Sequence, residues 1–224
     1  MWSRFCNWFV KITGVIPQFF LFRTKIYYED KEKQSNIVHG KAIIFANHHS
    51  VFDVAVLLFV FWRRTLHCLV AELMYKKNVF LSFFLKSIGS IKVDRDTKDF
   101  SFIAKSCVIL DKGGIIEIYP EARIPLPGEE RPLPFKPSVA YIALMSGAPL
   151  IPVYTNGSYF QKERARVIIG TPIDARALYD ETLSEKENLE NISNHLRNKI
   201  IELSYELERQ TKKEKSEEKN NHSL

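Results

Sequence analysis

The residues best equipped for chemistry stand together in Asn47-His48-His49-Ser50-Val51-Phe52-Asp53. A histidine and a carboxylate five positions apart can act as a base and its orienter. The carboxylate fixes the imidazole, and the other ring nitrogen takes a proton. The apolar run Ala42 to Ala46 leads into the cluster, and Val54 to Trp62 leads out of it. Polar groups between two such runs are costly to bury unless they are paired. The simplest account is a strand delivering the cluster and a helix carrying it away. If Ser50 starts that helix, Asp53 falls in its first turn and turns back on His48. A His-Asp pair can also be a structural cap.

Two further charged clusters also follow apolar runs. Asp94-Arg95 follows Ser90 to Val93, and Glu121-Ala122-Arg123 comes just after Ile115 to Tyr119. In an open α/β sheet, ligands bind beyond the carboxyl ends of the strands, so the three clusters can meet at one site. None has metal-ligand spacing, and no metal is expected. The chain has no Gly-rich phosphate loop and no Gly-x-Ser-x-Gly elbow. With no Ser or Cys nucleophile marked, His48 is read as activating a substrate hydroxyl, in acyl or phosphoryl transfer to an alcohol.

The elements that must position these groups alternate. Strands are predicted at Ile26 to Tyr28, Lys41 to Ala46, Leu66 to Ala71, Ser90 to Arg95, Ile115 to Tyr119, Leu150 to Tyr154 and Arg166 to Gly170. Pro152 suggests an end or edge position for its strand. Helices are predicted from Asp53 to Arg63, over residues 72–88 ending near Gly89, from Asp96-Thr97 through Leu110, and from Val139 to Gly147. His67 reads as a structural histidine. The loop over residues 124–137 holds Pro125, Pro127, Pro132, Pro134 and Pro137 and is suited to walling a site. Leu189, Ile192, Leu196, Ile200, Leu203 and Leu207 step by three or four along a helix over residues 184–209. The pattern implies an α/β fold, a mostly parallel or mixed sheet flanked by helices. The charged residues 210–224 are expected to be disordered.

Residues 1–25 form a separate segment, before an α/β domain over 26–209. Trp2, Phe5, Trp8, Phe9, Ile12, Ile16, Phe19 and Phe20 crowd it, and Arg4 and Lys11 interrupt it. It is too short and interrupted to span a bilayer, and no small-residue cleavage site follows. Pro17 is expected to break any helix. An amphipathic or broken helix lying in the headgroup region fits these residues, with Arg23 and Lys25 favouring anionic lipid. The chain of 224 residues carries a net charge of +6, which suits a membrane surface or nucleic acid. Nucleic-acid binding would leave the polar clusters after buried strands unexplained. Cys6, Cys68 and Cys107 show no paired spacing, as in a reducing compartment.

Asn-His-His-Ser-Val-Phe-Asp resembles the Asn-His-x-Ser-x-x-Asp signature of the glycerolipid acyltransferases, among them the bacterial 1-acylglycerol-3-phosphate acyltransferases. Gly89 to Arg95 is similar to their second block, Tyr119-Pro120-Glu121-Ala122-Arg123 to their third, and Pro149 to Val153 to their fourth. The resemblance implies that His48 is the general base and Asp53 its orienter. It implies that Arg95 binds the acceptor's phosphate, a group to which a guanidinium fork is suited. Glu121 and Arg123 would line the acceptor site, and Asn47, Ser50 and Gly89 would belong to the same substrate-binding set. A nearby backbone N–H would hold the oxyanion. The implied donor is acyl-CoA or acyl carrier protein, with no further cofactor. The implied acceptor is a lysophospholipid, and the implied location is the cytoplasmic face of the cell membrane, peripheral or monotopic. One departure bears on the acceptor. The family's third block usually runs Pro-Glu-Gly-Thr-Arg, whereas here Arg123 is one residue nearer Glu121 and the glycine is absent. Another hydroxyl-bearing lipid, or a non-catalytic membrane-binding module, are the alternatives.

Overall fold

Ala42–Ala46 is apolar and buried at every position, as befits a parallel strand covered on both faces. It is β2 of a sheet that also contains β1 (Lys25–Tyr28), β3 (Leu66–Ala71), β4 (Ile91–Val93), β5 (Ile115–Ile118), β6 (Leu150–Thr155) and β7 (Arg166–Ile169). The computed structural model describes residues 2–94, 100–161 and 163–221. The seven strands run in the order β1-β7-β6-β2-β5-β3-β4. The five from β6 to β4 are mutually parallel. β7 is antiparallel to β6, and β1 pairs parallel with β7. The sheet is therefore mixed, and the carboxyl ends of β2, β5 and β6 emerge side by side.

Pro152 lies in an interior strand rather than at an edge. Its carbonyl accepts from the Gly170 N–H at 2.9 Å, just past the last residue of β7. The missing proline donor thus falls where the β7 ladder is already ending.

Helices α5 (Ser101–Asp111), α6 (Ser138–Ser146) and α7 (Glu185–Asn221) cover one face of the sheet. They pack on Ile43, Phe45, Ile116 and Ile118, with Ile192, Leu196, Ile200 and Leu203 of α7 buried there. The helix α2 (Asp53–Val60) covers the other face, over Ala42, Ile44, Ile115 and Val153. The expected N-caps Asp96 and Thr97 lie outside the described residues. The helix predicted over 72–88 is two helices, α3 (Glu72–Lys77) and α4 (Val79–Ser87). Asn78 between them is extended, and its side chain accepts from the Phe80 N–H at 2.7 Å. A capping asparagine starts a new helix there. His67 is structural as read, its Nδ1 bonded to the Gly89 carbonyl oxygen at 2.7 Å.

The expected disorder of the tail is corrected through residue 221, because α7 continues to Asn221. Its extension is held back on the sheet edge, with Glu214 pairing with Lys25 and accepting from the Tyr27 hydroxyl at 2.6 Å. Pairs four apart, such as Lys212 with Glu208, lie along its outer side.

Residues 2–21 form one helix, α1 (Trp2–Leu21), which runs through position 17. A proline there deletes one backbone bond near the helix end, while tertiary contacts hold the rest. α1 is turned inside out. Asn7 and Lys11 are buried, and Phe5, Phe9, Ile12, Ile16, Phe19 and Phe20 are exposed. Lys11 Nζ donates to the carbonyls of Phe61, Trp62 and Arg64, at 3.3, 3.1 and 2.5 Å. These groups lie just beyond the C-terminus of α2, where a cation is favoured. Gly14 lets α1 approach α2, since a Cβ there would lie 2.6 Å from the Phe59 ring. Among the described residues no helix is long and apolar enough to cross a membrane.

Under α2 the strand β5 buries Glu117 completely. The Tyr119 hydroxyl donates to its Oε1 at 2.5 Å, and Oε2 has no hydrogen-bond partner among the described residues. Burial pushes the Glu117 carboxyl up from 4.5 to about 8. The fold then holds a proton that the unfolded chain releases. This contribution is complete below the unfolded value and is lost as pH rises through the folded one. Glu117→Gln removes that slope. Relative to the parent, its stability should rise by up to about 4 kcal/mol between about pH 5 and about pH 8 in urea unfolding. A difference that does not change with pH contradicts the protonated assignment.

Candidate active site

β2 delivers Asn47 and His48 at its carboxyl end, and Asn47 clamps the neighbouring strand. Its Nδ2 donates to the Thr155 carbonyl and its Oδ1 accepts the Thr155 N–H, both at 2.9 Å. The chain then turns, with the Asp53 N–H bonded to the Ser50 carbonyl at 3.1 Å. Asp53 is the first residue of α2 and fully buried.

Its carboxylate gathers the surrounding donors. Oδ2 accepts from His48 Nδ1 at 2.8 Å, from the His49 N–H at 2.7 Å and from the Ser50 N–H at 2.8 Å. Oδ1 accepts from the Tyr159 hydroxyl at 2.5 Å. With Asp53 as acceptor throughout, His48 Nδ1 is the donor and Nε2 carries the lone pair. The imidazole stacks on Tyr119, with centroids 4.5 Å apart and planes at 27°. Tyr119 in turn is anchored to Glu117. A ring so pinned can accept a proton at Nε2 from a bound hydroxyl.

Glu121 is buried beside it and braces two segments. Oε1 accepts the His48 N–H at 2.7 Å, and Oε2 accepts the Leu133 N–H at 2.8 Å. Burial raises its pKa, against these backbone bonds. The proline-rich loop is thereby tied to the histidine loop and walls the site. A cavity of about 140 Å³ remains, lined by Asn47, His48, His49, Glu121, Arg131 and Tyr154.

The other residues singled out from the sequence are placed differently. Ser50 spends its N–H on Asp53, and its Oγ accepts from the Phe52 N–H at 3.3 Å. Arg123 is exposed, and its two terminal nitrogens fork onto Glu129 at 2.6 Å each. This contact holds the Glu129 carboxyl at about 2. Ala122 adopts a left-handed φ of 63°, so the position where the resembled block has glycine keeps a glycine-like backbone at some strain. Gly89 lies in the turn leading to β4, three strands from β2, or ~14 Å across the sheet. Arg95 lies outside the described residues. Among the described residues no group of three His, Cys, Asp or Glu side chains is placed to hold a metal.

Two residues escaped the sequence reading. Tyr159 reaches Asp53 from 106 positions away, and no local pattern marks it. Arg131 sits in the proline-rich loop already read as a wall, and its Nη1 bonds His49 Nδ1 at 2.9 Å. The Asp53 network yields a stability test that needs no substrate. Tyr159→Phe removes a charge-assisted hydrogen bond and should cost about 2 kcal/mol in urea unfolding. Tyr205→Phe, at an exposed tyrosine, should cost under about 0.5 kcal/mol. Equal effects contradict the network.

Comparison with known proteins accords with this geometry. A solved structure, the 1-acyl-sn-glycerophosphate (LPA) acyltransferase PlsC from Thermotoga maritima, shares the fold with a TM-score of 0.62 at 18% identity. The match covers 90% of this chain and 79% of that one. The model of the Acyltransferase family matches residues 25–156, from the first strand of the sheet to the end of β6. More than half of the sequence, including every residue from Asn47 to Asp53, lies in that span, and the chain belongs to the acyltransferase family.

Proposed function

We propose that this acyltransferase moves a fatty acyl group from a thioester, acyl-CoA or acyl carrier protein, to the free hydroxyl of 1-acylglycerol-3-phosphate, giving phosphatidic acid. The observation that carries this reading is the imidazole of His48, held by Asp53 at Nδ1, in a residue that borders a head-group-sized cavity. His48 Nε2 takes the hydroxyl proton as the alcohol oxygen attacks the thioester carbonyl. The carbon–sulfur bond breaks, and the imidazolium passes that proton to the departing sulfur, which leaves as the thiol while His48 returns to its neutral form. Asp53 keeps the ring in the tautomer that can do this and steadies the cation that forms. The choice of acceptor is supported by the name of the structurally similar Thermotoga protein. The engagement of Arg123 with Glu129 favours a second reading, a different hydroxyl-bearing lipid acceptor.

The inverted helix α1 supports a lipid surface as partner. Its buried side holds Asn7 and Lys11, while Ile12, Ile16, Phe19 and Phe20 are each more than two-thirds exposed. Such a helix gains from an apolar medium on its outer side. Val79, Phe80 and Phe83 of α4 are also exposed, and α1 is tied to the end of α4 by Asn7 Nδ2, which donates to the Ile88 carbonyl at 3.4 Å. Beyond α1, Phe22 meets Phe52 and Phe160 at 6.1 and 5.2 Å, which extends the apolar surface to the lip of the site. In this reading the protein docks peripherally on the cytoplasmic face of the cell membrane, and lipid acceptors reach His48 along that lip. Nucleic acid has no part in it.

Thiol release from oleoyl-CoA with lysophosphatidic acid measures the transfer. His48→Ala should lower the rate by ~10³-fold in a protein that still folds, and near-parental activity sinks the mechanism. Docking is measured by co-sedimentation with anionic vesicles. Ile12→Glu/Ile16→Glu should release most of the protein, and retention equal to the parent refutes the docking face.

A further inference from the structure

We infer that Arg131 holds the anionic phosphate of the acceptor on the cavity that His48 lines, where Arg123, expected to line the acceptor site, has no part, with His49 as the residue that positions Arg131. The inference deepens the acyl-transfer reading and rests on it for the identity of the acceptor.

Ion pairing separates the two arginines. Arg123 is neutralised in contact, each terminal nitrogen on an oxygen of Glu129. Its side chain is exposed, and it does not line the cavity beside His48. Arg131 does line that cavity. Its partners are neutral, His49 Nδ1 at 2.9 Å and the Pro125 carbonyl at 3.3 Å. Among the described residues it has no carboxylate within ion-pair distance. Glu121 also lines the cavity, but both its oxygens are taken by backbone N–H groups. These contacts use two of the five guanidinium N–H donors, and the free ones suit the planar, multi-oxygen face of a phosphate.

His49 holds the guanidinium in place. Its Nδ1 is the acceptor for Arg131. Burial first, and Arg131 among the nearby charges, lower its pKa, so the ring stays neutral and keeps that acceptor. Gly157, with φ of +67°, makes room for it, since a Cβ there would lie 2.6 Å from His49 Cγ. Packed against Gly157, His49 and Arg131 thus form a fixed arm. It places a cation on the small cavity that His48 also lines, and a phosphate held there brings the glycerol hydroxyl toward His48.

Binding is read without turnover by titrating histidine-labelled protein with glycerol 3-phosphate and following the His49 ring signals. The parent should bind, Arg131→Gln should bind at least ~10-fold more weakly, and Arg123→Gln should stay within about twofold. With lysophosphatidic acid as acceptor, Arg131→Gln should raise KM by ~10-fold, and with monoacylglycerol it should leave KM unchanged. The inference is overturned if Arg131→Gln binds as the parent does, if Arg123→Gln loses as much, or if the parent binds no glycerol 3-phosphate. Binding that tracks Arg131 with no thiol released for any acceptor supports the anion site and overturns the acyl-transfer reading instead.

Discussion

The carboxylate of Asp53 accepts hydrogen bonds from a histidine ring, two backbone N–H groups and a tyrosine hydroxyl, while fully buried. Removing a carboxylate from water is tolerable only when donors replace the solvent, so this group dictates much around it. Its backbone partners fix the turn between β2 and α2. Its ring partner fixes the tautomer of His48. Its tyrosine partner recruits the connection between β6 and β7, which must pass over the site for Tyr159 to reach it. A second buried carboxylate, Glu121, repeats the device by joining the histidine loop to the proline-rich loop.

The same economy links the outer helix to the site. Lys11 of α1 meets the carbonyls beyond the C-terminus of α2, whose first residue is Asp53. Phe22, just after α1, packs edge-on against Tyr159 at 5.5 Å and 86°. α2 is therefore held at one end by the chemistry of the site and at the other by the helix whose apolar side faces outward.

Much of this was legible in the sequence, for physical reasons. Strands such as Leu66 to Ala71 and Lys41 to Ala46 stand out because full burial demands continuous apolar runs. The spacing from His48 to Asp53 stands out because both partners sit on one turn. Errors arose where tertiary contacts override local preference. Pro152 entered an interior strand because its neighbour ends beside it. The charged stretch after Gln210 stays helical because Glu214 finds Lys25 and Tyr27 on the sheet edge. Position 17 stays helical because α1 is anchored through Asn7 and Lys11. Tyr159 and Arg131 were out of reach, since their roles depend on contacts made 106 and 82 positions away. Which arginine faces the cavity turns on Glu129 capturing Arg123, a contact that no motif specifies.

Proton acceptance by His48 depends on one protonation pattern, and nitrogen NMR of selectively labelled histidine observes it directly. The neutral His48 ring should show a protonated Nδ1 and a bare Nε2, and Asp53→Asn should abolish that pattern. A His48 ring carrying its proton on Nε2 in the parent protein contradicts the account, because the nitrogen assigned to receive the hydroxyl proton would already hold one.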